Sequence, residues 1–131
     1  MREIIEKLEA ADKGSAELDC AIHAALNPLY KQNSIYPMLF QHGGSGKDVH
    51  QVPHYTRSVH DALSLVPEGG EDTGDGWRIG FERGPGRGTY WKAWMRRHAS
   101  DHTIEATAIL DGGPALALAT VALKARSSIV L

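Results

Sequence analysis

The chain predicts an α+β fold: a small antiparallel sheet of about three to four strands packed with helices in a sandwich-like arrangement. Three observations predict it. Trp77, Ile79 and Phe81 alternate with Arg78, Gly80 and Glu82, the period of a half-buried strand, and Thr89 to Arg97 returns across Gly84-Pro85-Gly86-Arg87-Gly88 as the second arm of a hairpin. Ala115 to Leu123 is almost wholly apolar, so it reads as a helix that must be deeply buried. Apolar residues also recur at helical spacing from Ser15 to Leu26 and again after Ser58.

Taken in order, Arg2 to Ala10 is a short helix with Ile4, Ile5 and Leu8 on one side, ended near Gly14, a residue that readily takes the left-handed conformation after a helix. In the next helix Ser15 is the N-cap, Leu18, Ala21, Ile22, Ala25 and Leu26 form a core face, and Asn27-Pro28 is the stop. Ile35 to Phe40 is a short apolar run whose Pro37 has no N–H to give a ladder, which confines any strand there to an edge or an irregular stretch. Thr56 or Ser58 caps a helix whose apolar face is Val59, Ala62, Leu63 and Val66. The loop Pro67 to Asp75 leads into the hairpin, and Thr103 to Ile109, rich in β-formers, adds a third strand. Pro114 stands in a first helical turn, where its missing N–H costs no hydrogen bond, and Lys124 and Arg126 suit the negative end of the last helix.

At 131 residues the chain is read as one domain, 1–131, able to bury a single core without disulfides or metal. The hydrophobic fraction of 42 % and charged fraction of 23 % are those of a globular protein, and a net charge of -2 gives no global bias toward nucleic acid. Charge is segregated instead. Six cations and one acid, Glu82, lie between Gly76 and His98, while acids crowd the first twenty residues and the loop Glu68 to Asp75. The single cysteine, Cys20, cannot form an internal bridge, and no secretory or membrane-spanning run is present, so a cytoplasmic setting is expected.

Three stretches carry a resemblance: "ELDCAIHAAL" (Glu17 to Leu26), "VPHYTRSVHDALSLVPEG" (Val52 to Gly69) and "GGPALALATVALKAR" (Gly112 to Arg126). In this order and spacing they resemble the small phage and prophage proteins that carry the phage ABA sandwich domain, over residues 17 to 126. The resemblance implies an α/β sandwich of phage or prophage origin, acting in the host cytoplasm, and brings no catalytic residue with it. The chain departs from the family pattern at Asn27-Pro28, where a Gly-Trp pair is common, and in the richness of cations between Arg78 and Arg97.

The chemistry-bearing residues lie mainly in the hairpin. Apolarity favours Trp91, Ala93 and Met95 as the core side, which leaves Tyr90, Lys92, Trp94 and Arg96 opposite, beside Arg78; with Arg87 and Arg97 they form an aromatic and cationic surface able to stack on a base and neutralise phosphates. The competing reading is that a helix covers this face too, making Tyr90 and Trp94 ordinary core. His50, His54 and His60 lack the spacing and thiolate company of a zinc site, so no metal and no cofactor is expected. "GGSGKD" departs from a phosphate loop because Asp48 follows Lys47, and "GPGRG" joins two strands without a helix N-terminus. Cys20, beside Asp19 on a helix, is a packing residue. The expected function is a non-enzymatic binding protein with a counter-defence role. It would block a host defence complex such as CRISPR or sequester a nucleotide signal. The rivals are an assembly protein that forms homo-oligomers through its apolar last helix, and a nucleotide hydrolase using His54 and Asp61.

Overall fold

The apolar last helix, α4 (Pro114–Ile129), is the middle of the molecule. Ala115 to Leu123 and Ala125 are all buried, and the helix meets strands β5 (Trp91–His98) and β6 (Thr103–Leu110) as well as helices α1 (Arg2–Ala10) and α3 (Val59–Leu63). Its alanines let these neighbours approach closely, and the buried hydroxyl of Thr120 donates to the Leu116 carbonyl one turn back at 2.8 Å. The computed structural model describes residues 2–33, 35–42, 49–66, 78–83, 91–98, 103–110 and 113–129, without the side chains of residues 42, 97, 98, 103–110, 128 and 129. Among them no helix is long and apolar enough to cross a membrane.

The fold is α+β, with antiparallel strands in two separate sheets of three instead of one. The second sheet holds β4 (Arg78–Arg83), β5 and β6, in that order, and is the hairpin and third strand that alternation predicts. The first sheet is built from β1 (Tyr30–Gln32), β2 (Leu39–His42) and β3 (His50–Gln51), also in chain order. Here the expectation for Ile35 to Phe40 is corrected. Pro37 stays in the turn before the strand, and the pairing begins at Leu39, so β2 is the central strand.

Helix α2 (Ala16–Leu26) is capped as expected, the Ser15 hydroxyl accepting from Leu18 N–H at 3.2 Å. Of the predicted face, Ile22 is buried and Leu18, Ala21 and Leu26 pack partly buried against the core, while Ala25 is exposed; beyond that face, Asp19, Cys20 and His23 are enclosed on the side toward the first sheet and the 52–58 segment. Ser58, not Thr56, caps α3 by accepting from Asp61 N–H. This helix is little more than one turn, so Val59 and Leu63 remain exposed while Ala62 and then Leu65, in the turn beyond it, enter the core. Arg126 donates to the Leu65 carbonyl at 2.6 Å and Lys124 pairs with Glu9 at 3.2 Å, tying α4 to the turn after α3 and to α1.

Candidate functional site

The β4–β5 register pairs Arg78 with Arg96, Gly80 with Trp94 and Glu82 with Lys92. Directly opposed residues share a face, so these six stand on one side of the sheet and Ile79, Phe81, Arg83, Trp91, Ala93 and Met95 on the other. Ala93 and Met95 are 0 % exposed, in the core that α4 completes. The favoured Trp91-Ala93-Met95 core face is therefore the one the fold uses.

On the outer face Trp94 is half-buried for a specific reason. A Cβ built on Gly80 would lie 2.1 Å from two atoms of its indole, so the ring lies across β4 in space that only glycine leaves free. The guanidinium carbon of Arg96 sits 5.7 Å from the Trp94 ring centroid, within cation–π reach. Arg78 and Arg96 are exposed and Lys92 half-buried, so four of the predicted binding residues form one group: Arg78, Lys92, Trp94 and Arg96. Not all of the local charge is gathered there. Glu82 stands opposite Lys92, Glu105 is paired in register with Arg96, and Arg83 belongs to the other side of the pleat. Arg97 is paired with Ile104 in β5, its side chain undescribed, and Arg87, Tyr90 and Trp77 lie outside the described residues, as do both glycine loops.

Two buried polar clusters hold α2. In the first, the carboxylate of Asp19, 0 % exposed, accepts from Thr56 N–H at 2.8 Å, from the Thr56 hydroxyl at 2.6 Å and from Arg57 Nε at 3.0 Å. Ser15 N–H donates to the same hydroxyl oxygen at 3.0 Å. Gly14 makes this approach possible, since a Cβ there would come within 1.9 Å of the Thr56 carbonyl oxygen. In the second cluster, His23 Nδ1 lies 3.1 Å from the Tyr55 hydroxyl and His23 Nε2 lies 2.7 Å from His50 Nε2. Burial, and then the neighbouring His50, hold His23 below its ordinary range. Burial chiefly pushes the Tyr55 hydroxyl up, Asp61 and Asp19 adding to it against Arg126. The Cys20 thiol is also pushed up, by burial and by Asp19 against the opposing effect of Arg57, as a packing residue should be.

The chain matches no family model, no curated protein and no solved structure.

The histidines singled out in the sequence do not converge. His50 turns to His23, His60 is exposed on α3, and among the described residues no group of three His, Cys, Asp or Glu side chains is placed to hold a metal ion. His54 and Asp61 do share an open cleft of about 360 Å³, but there the His54 backbone N–H donates to Asp61 Oδ2 at 2.8 Å, so that carboxylate oxygen serves the turn before α3. Sequence reasoning missed Asp19, His23, Tyr55 and Thr56 as the organising polar residues. The signal was present: Asp19, His23 and Asn27 are spaced four apart, which makes one polar stripe along α2.

Proposed function

We propose that this chain is a non-enzymatic binding protein that meets an acidic protein surface with the outer face of its second sheet. The observation that carries the reading is Trp94 laid across Gly80 with the Arg96 guanidinium within cation–π reach of its ring, on the face opposite Ala93 and Met95. Trp and Arg are the residue types that most often dominate protein interfaces, and a tryptophan already pinned by the backbone loses little freedom on binding. Two exposed arginines beside a half-buried tryptophan on a sheet face suit the rim and anchor of a protein interface. The resemblance to phage ABA sandwich proteins adds the setting: a phage or prophage product acting in the host cytoplasm, whose stoichiometric capture of a defence complex would be counter-defence.

The assembly rival, oligomerisation through the apolar last helix and the tail Ile129-Val130-Leu131, finds less to rest on along the helix, while the side chains of that tail lie outside those described. Ala115 to Leu123 are occupied inside the protomer and offer no apolar face to a second copy.

The test is recovery of partners from host lysate by the wild-type chain and by an Arg78→Glu/Arg96→Glu variant of equal helicity, with denaturation and mass spectrometry of proteins and small molecules. A protein recovered in stoichiometric amount by the wild type and lost with the double reversal supports the reading. A released nucleotide with the same dependence replaces it with sequestration, and recovery indifferent to the reversal removes this face from consideration.

A further inference from the structure

The cluster that holds Asp19 has an open side. Thr56 occupies one oxygen of the carboxylate, Oδ1, with its N–H at 2.8 Å and its hydroxyl at 2.6 Å. Arg57 takes the other, placing Nε 3.0 Å and Nη2 2.9 Å from Oδ2. Two N–H groups on one side of the guanidinium are engaged there, out of the five that an arginine carries. The Asp19 side chain is 0 % exposed and that of Arg57 39 %, so the carboxylate is the fixed member and the arginine leads from the interior out to the surface.

What Arg57 reaches is a cavity of about 320 Å³ where the link between α1 and α2, the segment before α3 and the start of α4 meet. Arg57 and Lys13 line it with positive charge, and Val59, Gly113, Pro114 and Ala115 with apolar surface. Two glycines shape it. Gly14, pressed on the Thr56 carbonyl, sets Lys13 and Arg57 beside the same space. Gly113, at φ +99°, has nothing within 4 Å of where a Cβ would stand, so the chain enters α4 with open space beside it. The volume is that of a site for a small molecule, near the lower end of the range of roughly 300–1,000 Å³.

Charge and geometry select the ligand. Of Lys13, Arg57 and Asp19, one positive charge is left over, which a single negative charge balances and a dianion overshoots. The edge of Arg57 that Asp19 does not use is the end-on fork of the two Nη groups, whose parallel N–H bonds match the two oxygens of a carboxylate. Because a buried group holds the guanidinium in place, little side-chain freedom is lost when a ligand meets it.

We propose that this cavity binds a small organic carboxylate, its oxygens on the end-on edge of Arg57 beside Lys13 and its apolar body against Val59, Pro114 and Ala115. None of these residues belongs to the second sheet, so the proposal does not rest on the reading of that sheet's outer face.

The experiment is a titration of the full chain with benzoate at mildly alkaline pH, followed in amide ¹H–¹⁵N spectra. Benzamide serves as the uncharged isostere and phenyl phosphate as a dianion on the same ring. The expected result is saturable binding of benzoate at millimolar concentration, with shifts at Lys13, Gly14, Arg57, Val59 and Ala115, while benzamide and phenyl phosphate bind several-fold more weakly. Lys13→Gln should weaken benzoate several-fold. Arg57→Lys, which keeps a cation for Asp19 but has no fork, should weaken it further. The Arg78→Glu/Arg96→Glu variant should bind benzoate as the wild type does, so failure at one site is distinguished from failure at the other. Absence of saturable binding, benzamide bound as well as benzoate, a preference for phenyl phosphate, or binding indifferent to Lys13→Gln overturns the proposal. Should Arg57→Lys not fold, Lys13→Gln, at an exposed residue, decides together with the three ligands.

Discussion

The two sheets have the same number of strands and are secured by different physics. The second is adhesive on one side: Ala93 and Met95 press on a helix that is itself buried, so its attachment is dispersion and water exclusion, insensitive to pH. The first is small and owes its place to directed contacts, with His23, His50, Tyr55 and Asp19 each satisfied by a named partner. Apolar attachment has no preferred proton count, whereas hydrogen-bonded attachment has one. The first sheet and α2 are therefore the region where solution conditions can act, and the second sheet is a fixed platform for its outer face.

That contrast is broken most forcefully by Leu116→Ala. Leu116 is fully buried in a helix packed on several sides, so the cavity has little means to collapse, and urea unfolding should show a loss of about 4 kcal/mol, equal at pH 8 and pH 5. Asp19→Ala tests the other region. It strands the Thr56 and Arg57 donors, and because the Arg57 side chain is 39 % exposed the loss falls at the low end for a broken buried pair, about 3 kcal/mol by the same measurement. Gly80→Ala displaces the Trp94 ring and should cost about 1–2 kcal/mol, with reduced partner recovery. The pH arm follows from the depressed His23: wild-type stability falls on acidification through the shifted range, and His50→Gln lessens that fall. Arg96→Glu is the smallest structurally, within about 0.5 kcal/mol in thermal or urea unfolding, as an exposed site allows, yet it should weaken partner capture.

Legibility divides along the same line. The second sheet and α4 were readable because their information is periodic: alternation sets which side of β5 is buried, and an unbroken apolar run admits one environment. The outer-face group Arg78, Lys92, Trp94 and Arg96 followed from the same alternation, but the seat of Trp94 on Gly80 did not, because it depends on which residue faces it across the hairpin. The first sheet was hidden. Strands of two to four residues carry too few alternations to declare a period, and Pro37 suggested an edge where it marks a turn. Asp19 was counted among the acids of an acidic N-terminal region, since its partners Thr56 and Arg57 are 37 and 38 residues away.

The position of α4 in the chain sets an order for assembly during synthesis. Every other element described precedes it, and α1, α3 and the strands β5 and β6 all reach the core through it. As the chain leaves the ribosome, the inner side of the second sheet and the apolar sides of two helices wait uncovered until residues 114–129 have emerged. The nascent protein therefore presents these apolar surfaces until α4 has emerged to cover them, and a holding chaperone that shields them over that interval should raise its yield.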